Sequence, residues 1–242
     1  MFSVLIRLCV SDDARDSATP TDSMIKAVIF DVDGTLVDSV DLHARAWQET
    51  FREFGKDIPF QEIRMQIGKG GDQLMPVFLS KAELDKYGEQ ISKRRGEIFK
   101  ENYLREVKAF SRVRDLFQRV LADGKKIALA SSAIGEELET YKKVANIVDL
   151  LDAETSADDA EQSKPHPDIF VAALERLGDP RKEETLVIGD TPYDIEAAGK
   201  AGLKTIAFRC GGFPEETLRG AIAIYDDPAD LFARYADSPL SA

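Results

Sequence analysis

Two aspartates one residue apart, Asp31 and Asp33, close an apolar run and are followed at once by Gly34. Three further polar positions stand after apolar or acidic stretches: Ser131, Lys164, and Asp190 with Asp194. Carboxylates grouped without a histidine partner are hard oxygen ligands suited to Mg²⁺. A carboxylate is also a nucleophile that can take a phosphoryl group as an aspartyl-phosphate, which suits Asp31. Asp33, two residues on in an extended backbone, points to the same side. It is placed to protonate a leaving oxygen and then to activate water. The hydroxyl of Ser131 and the ammonium of Lys164 can hold the equatorial phosphoryl oxygens, where transition-state charge spreads. Asp190 completes a metal site. The chemistry these residue types point to is phosphoryl transfer.

Such a site needs its parts delivered to one place, and the pattern of elements does this. Ala27–Phe30 reads as a strand buried on both faces, and Lys126–Ala130 and Thr185–Gly189 read likewise. Further strands are predicted over 150–155, 203–208 and, at an edge, 221–225. Helices are predicted over 113–121, 136–144, 167–177, 192–200 and 228–235, with 156–163 a polar, acidic loop. Strands alternating with helices imply crossover connections and a parallel sheet. Ligands of such sheets sit beyond the carboxyl ends of the strands, where all of these polar residues fall.

Between 39 and 108 no strand signal appears. Helical patterns run over 41–54, 59–67, 72–79 and 81–107, broken at Gly68-Lys69-Gly70-Gly71. The predicted fold is therefore α/β: a Rossmann-like parallel-sheet core, 24–39 and 113–242, interrupted after its first strand by an all-helical insert, 40–112. The crossings near 37–41 and 107–112 are expected to be hinges. Residues 1–23 read as a disordered extension: the apolar part is short, lacks a basic start and leads into a polar stretch, unlike a signal peptide.

The chain has 242 residues, is 43% hydrophobic and 31% charged, and carries a formal net charge of −12. That acidity argues against non-specific nucleic-acid binding. It also means that an anionic substrate needs local cations or a metal. Two cysteines, Cys9 and Cys210, make neither a disulfide framework nor a zinc site. No apolar run is long enough to span a membrane. A reducing cytoplasm is the default location, and no long apolar stripe argues for more than a monomer.

Asp31-Val-Asp-Gly-Thr, Ser131, Lys164 in Ser-Lys-Pro-His-Pro-Asp, and Gly189-Asp190-Thr-Pro-Tyr-Asp194 occur in that order. Together they closely resemble the four motifs of the haloacid dehalogenase-like hydrolases. The resemblance covers nearly the whole chain from Met24. The helical insert looks like the small cap of the phosphoglycolate phosphatase and β-phosphoglucomutase branch. By this resemblance Asp31 is the nucleophile and a Mg²⁺ ligand. Asp33 is the general acid and base and binds Mg²⁺ through its carbonyl. Ser131 and Lys164 bind the phosphoryl group, and Asp190 the metal. Dehalogenases of the family lack an aspartate at the position of Asp33, so its presence implies phosphate chemistry.

Other residues carry two readings each. Ser131 and Ser132 also suit a helix N-cap, which itself favours an anion; which serine contacts phosphate follows from the resemblance. Asp194 is either a capping residue after Thr191 or a partner of the metal shell or of Lys164. His43 is a packed histidine one turn before Trp47, or, as in the mutase branch, the residue coupling cap closure to Asp33. Lys69 is a turn residue or a substrate contact. Arg45 and Arg64 are candidate cations for the site, with solvated helix faces the favoured reading. The expected activity is a Mg²⁺-dependent phosphohydrolase acting on a small phosphorylated metabolite. A β-phosphoglucomutase-like sugar phosphomutase is the alternative; Gly189 before Asp190 favours the phosphatase, since the mutases typically carry Glu-Asp there. A non-catalytic regulator on the same fold is the reading from another class, disfavoured by the complete motif set.

Overall fold

The computed structural model describes residues 24–133 and 135–241. The expectations about residues 1–23, and Cys9 among them, lie outside the described residues.

The centre of the molecule is a six-stranded sheet, parallel throughout: β1 (Ala27–Phe30), β4 (Lys126–Ala130), β5 (Ala153–Thr155), β6 (Thr185–Gly189), β7 (Lys204–Phe208) and β8 (Ala223–Tyr225). Their order is β5-β4-β1-β6-β7-β8. After β1 the chain builds outward on one side through β4 and β5. It then returns to β1's other edge with β6. Strand order thus reverses at β1, and the carboxyl ends of β1, β4 and β6 frame the crevice.

The period of two along β1 sorts its side chains. Val28 and Phe30 face a layer that includes Leu116, Phe117 and Val120 of α5 (Val113–Ala122). Ala27 and Ile29 face Phe170, Ala173 and Leu174 of α7 (Asp168–Arg176) and Ala197, Ala198 and Ala201 of α8 (Pro192–Ala201). All four β1 side chains are completely buried, as a run covered on both faces must be. α6 (Glu136–Val144) and α9 (Pro228–Ala233) complete this part.

The helical stretch comprises α1 (Val40–Glu53), α2 (Phe60–Arg64), α3 (Gly71–Phe78) and α4 (Lys81–Ile98). It buries its own cluster, with Trp47, Phe51, Ile63, Leu74 and Ile91 at its heart. The pattern predicts one helix over 81–107, but the α-helix ends at Ile98. A π-helical turn, Phe99–Tyr103, and a 3-10 turn, Leu104–Glu106, follow. The π turn brings Phe99 flat against the His43 ring, with centroids 4.0 Å apart and planes 7° from parallel.

Where hinges are expected, the entering and leaving segments pair. β2 (Val37–Asp38) and β3 (Lys108–Ala109) form a two-residue antiparallel ladder, Val37 opposite Ala109 and Asp38 opposite Lys108. Elements so short leave no periodicity to read. The strand predicted over 150–155 is likewise shorter, Ala153–Thr155, because a 3-10 turn at Val148–Leu150 precedes it.

Candidate active site

Asp31 lies one residue beyond β1, and its amide still donates to Ile188 of β6 at 2.8 Å. The chain then wraps round the Val32 carbonyl, which accepts from the amides of Leu36 at 2.8 Å and Val37 at 3.1 Å. Gly34 makes this turn at φ +79°, and a methyl there would strike Asp190 Oδ2 at 2.4 Å. Glycine is therefore needed twice over, for backbone and for space. Thr35, one residue on, sets its hydroxyl between two carboxylates. It donates to Asp190 Oδ1 at 2.8 Å and stands 3.1 Å from Asp31 Oδ2.

Lys164 is brought in by the loop ahead of α7 and is 2% exposed. Its ammonium donates to Asp31 Oδ1 at 2.5 Å and to Asp194 Oδ1 at 2.8 Å. Burial works against its charge, but Asp194 and Asp31 outweigh that and hold the ammonium far above its ordinary value. Asp31 shows the converse. Burial pushes its carboxyl up to about 7 despite the pull of Lys164. Burial, then the charges of Asp31 and Asp194, push Asp190 well above the carboxylate range.

Asp194 does both things expected of it. Its Oδ2 accepts from the Thr191 amide at 3.0 Å and hydroxyl at 2.6 Å, and Thr191 caps α8 in return. Its Oδ1 takes Lys164. Both oxygens are thus engaged. Asp190 differs: its Oδ2 is buried and has no hydrogen-bond partner among the described residues. An unsatisfied buried carboxylate oxygen is costly and calls for a cation. Ligand atoms of Asp31, Asp190 and Asp194 lie within 4.8 Å of one another. The donors are hard oxygens and the space beside Oδ2 is kept by two glycines, so the residues fit a small divalent ion. The second glycine is Gly211, where a methyl would fall 1.7 Å from Asp190 Oδ2.

Asp33 belongs to a different network. Its Oδ1 accepts from the Ser39 hydroxyl at 2.5 Å and lies 2.9 Å from His43 Nε2. Burial alone would raise its carboxyl, but His43 and Ser39 prevail and hold it below the ordinary value. His43 Nε2 is also 3.0 Å from the Tyr141 hydroxyl and 3.7 Å from Glu137 Oε1. Tyr141 and Glu137 sit on α6, four residues apart, so both reach the same point.

A cavity of about 40 Å³ opens between strand ends and helices. Asp31, Asp33, Lys164, Ser132, Ala133 and Glu137 line it from the sheet side. Trp47, Ile67, Gly68, Lys69 and Arg95 line it from the helical stretch, with His43 at the junction. Ser131 is fully buried, its hydroxyl accepting from the Ala133 amide at 3.0 Å. The Gly68–Gly71 turn presses down on the sheet side. A methyl at Gly68 would meet Thr191 at 2.7 Å, and one at Gly70 would meet Ser163 at 2.0 Å. Lys69 donates to Gln66 at 2.7 Å and lies over the Tyr193 ring, and its partial burial pulls its ammonium below the ordinary value. Arg64 is no solvated cation: it donates to the carbonyls of Gly211 at 3.0 Å and Gly212 at 3.3 Å and pairs with Asp41 at 2.6 Å. Arg45 is exposed, as expected.

The structure thus gathers Asp31, Lys164, Asp190 and Asp194 into one buried group, and places Asp33, His43, Ser132 and Lys69 on the cavity beside it. Arg95, Glu137 and Tyr141 are further lining or supporting residues that sequence reasoning missed. Thr35 was legible in principle, as the last member of Asp31-Val-Asp-Gly-Thr.

The family model of haloacid dehalogenase-like hydrolases matches residues 28–208. The chain belongs to this family. Among its relatives is the pyrophosphatase PpaX of Bacillus mycoides, 30% identical over 184 residues, 76% of this chain and 83% of that protein. Another is the phosphoglycolate phosphatase of Aquifex aeolicus, 29% identical over 186 residues, 75% of this chain and 83% of that protein. A crystal structure of a hydrolase from Pseudomonas syringae superposes with a TM-score of 0.80 at 26% identity, covering 88% of this chain and 98% of that one. The haloacid dehalogenase-like assignment makes this chain a hydrolase. Among the described residues, no helix is long and apolar enough to cross a membrane.

Proposed function

We propose that the protein is a Mg²⁺-dependent phosphohydrolase that removes phosphate from a small phosphorylated metabolite in the cytoplasm. The observation that carries this is the buried group around Lys164: one ammonium between Asp31 and Asp194, and beside them Asp190 with a carboxylate oxygen left over. Asp31, Asp190 and the Asp33 carbonyl would hold Mg²⁺, which when bound supplies charge neutralisation for the anionic centre. Residues 40–112 form the cap and the remainder from 24 the core.

In this reading Asp31 Oδ attacks phosphorus in line and the bond to the leaving oxygen breaks. Lys164 balances the charge on the equatorial oxygens and keeps Asp31 aimed. Asp194 holds Lys164 in place. Ser131 accepts from Ala133, which leaves its own proton to donate to a phosphoryl oxygen. Asp33, ionised at rest, relays to the leaving oxygen a proton that it first takes up from solvent or from its neighbour His43, with Ser39 and His43 fixing its orientation. The same carboxylate then takes a proton from the water that hydrolyses the aspartyl-phosphate, regenerating Asp31 and releasing phosphate. Packing of the cap turn on Thr191 and Ser163 excludes bulk water meanwhile.

The relatives named pyrophosphatase and phosphoglycolate phosphatase support hydrolysis. A second reading, a β-phosphoglucomutase-like transfer of the phosphoryl group back to a sugar, has one observation in its favour. His43 of the cap lies 2.9 Å from Asp33, a contact able to tie proton delivery to closure. Product analysis separates the two. Free phosphate from a panel of phosphate esters with Mg²⁺ supports hydrolysis, and isomerised hexose phosphate supports the mutase. Wild-type turnover by Asp31→Asn, or in EDTA, would sink both.

A further inference from the structure

Oxygens of Asp33, Tyr141 and Glu137 converge on His43 Nε2, at 2.9, 3.0 and 3.7 Å. A ring nitrogen carries one hydrogen at most, and without it can only accept. Which state Nε2 takes follows from the protons around it. Asp33 is ionised at rest and has none to give. Tyr141 has one, and burial, Asp33 and Glu137 keep it on the phenol. That proton is directed to Glu137 Oε1, 3.2 Å away and one turn earlier on α6. Asp33 and Tyr141 therefore both turn lone pairs toward Nε2, which must carry the hydrogen. Were the phenol to donate to Nε2 instead, a bare nitrogen would face the Asp33 carboxylate, lone pair against lone pair. The Tyr141 hydroxyl supports His43 only while Glu137 holds its proton. Arg95 approaches the other oxygen of Glu137 at 3.9 Å, and Phe99 lies flat on the imidazole, so the carboxylate and the ring are both steadied.

Resting on the phosphohydrolase reading, we propose that Tyr141 and Glu137 are positioning residues for Asp33: together they fix the tautomer of His43, and His43 in turn fixes the aim of Asp33 Oδ1. Asp33 matters most where the leaving oxygen needs a proton. An alkoxide needs one, whereas a phenolate with an electron-withdrawing substituent departs without it. Damage to the pair therefore falls more heavily on alkyl esters than on aryl esters. Nor do the two side chains act independently. Glu137→Leu frees the phenol proton, which turns to Nε2 and competes with the hydrogen bond to Asp33. Tyr141→Phe removes that proton together with its oxygen, keeps the buried ring, and leaves Nε2–H to Asp33 alone. Adding Tyr141→Phe to Glu137→Leu thus relieves part of the damage, a coupling that two merely structural residues would not show.

The test follows release of the leaving group in a single turnover by full-length protein with Mg²⁺, from glycerol phosphate and from 4-nitrophenyl phosphate. Glu137→Leu should slow the alkyl ester about tenfold more than the aryl ester, the size of one hydrogen bond, with half-saturation little changed. Glu137→Gln, whose amide oxygen still accepts, should recover most of the alkyl rate, and the double variant part of it. Nitrogen-15 spectra of the imidazoles read the tautomer without turnover. The chain has two histidines, so His166→Gln assigns the signals of His43. Nε2–H is expected in wild type and in Tyr141→Phe, and a mixture with Nδ1–H in Glu137→Leu. An equal loss on both esters, a double variant slower than Glu137→Leu, or a bare Nε2 in wild type would overturn the proposal. Wild-type protein that hydrolyses no phosphate ester would instead refute the phosphohydrolase reading, and the spectra would still decide whether the pair sets the tautomer.

Discussion

Gly211→Ala is the sharpest test of the metal site, because the glycine is there for space alone. Its backbone lies outside the left-handed region, so alanine brings no conformational penalty. The added methyl carbon, however, would stand 1.7 Å from Asp190 Oδ2, 2.5 Å from its Cγ and 2.7 Å from its Cβ. Contacts under 3.0 Å are essentially never seen, so something must give by about 1.3 Å. Turning the carboxylate does not relieve the clash with Cβ. Either Asp190 retreats or the 211 backbone lifts, and lifting would also strain the Arg64 contact to the Gly211 carbonyl. A displacement of about 1 Å at a reacting constellation costs on the order of 10²-fold in rate. The expected result is that loss in kcat/KM, a raised Mg²⁺ requirement, and a smaller Mg²⁺-induced rise in Tm. The control is Gly199→Ala on α8, where a methyl meets nothing within 4 Å; it should leave the rate unchanged and stabilise the helix by up to about 1 kcal/mol. Gly211→Ala with wild-type rate and metal dependence would refute the placement of the ion beside Asp190 Oδ2.

Asp33→Asn should reduce turnover by about 10²–10⁴-fold. A burst of leaving group with good leaving groups would show that attack by Asp31 survives; an unaltered steady-state rate would remove Asp33 from proton transfer. Metal-free protein should lose stability as pH rises from about 5 to 8. Asp31 ionises near 3.8 in the unfolded chain and near 7 when folded, so its contribution is complete below the lower value and is lost through the upper. Asp190 acts in the same sense and Asp33 in the opposite one, but the latter's contribution is already complete at the start of this window. Mg²⁺ should flatten the profile, and a Tm in EDTA that climbs across the window would contradict the burial argument. Arg64→Met removes two charged hydrogen bonds between helical stretch and sheet side. It should lower kcat/KM by about tenfold or more and lower Tm as well, and an unaffected KM and kcat would show the contact to be idle in turnover.

The strand ends were legible in the sequence because each functional side chain sits within a few residues of the apolar run that positions it. Asp31, Lys164 and Asp190 announce themselves in this way, and a parallel sheet converts separate strand ends into one crevice. What could not be read is whatever depends on distant helices meeting. Arg95 looks like one basic residue among several in Ser92–Lys100, and only the packing of α4 on α1 selects it for the cavity. Glu137 and Tyr141 look like an ordinary helical pair until His43, 98 residues before Tyr141, arrives between them. Arg64 reads as solvated because its partners are carbonyls, which leave no trace in residue type. The termination of α4 at Ile98 was hidden for a related reason: the π turn continues the helical pattern while changing what Phe99 touches.

The short ladder of β2 and β3 has a consequence for modularity. Asp38 and Lys108 are direct partners, so everything between them is one excursion that returns to its point of departure. Lengthening an excursion with joined ends costs little, about 0.6 kcal/mol per doubling of its length. The excursion buries one apolar cluster of its own, packs Ala46, Ile98, Phe99, Leu104 and Val107 into the cluster of the sheet, and lends no strand to the six-stranded sheet. A helical stretch that keeps those five side chains can therefore be exchanged like a cassette. A donor of different length or wall chemistry, joined at 38 and 108, would leave the register of β1, β4 and β6 intact. Leaving-group preference would then be free to diverge while the carboxylates and lysine at the strand ends stay where they are.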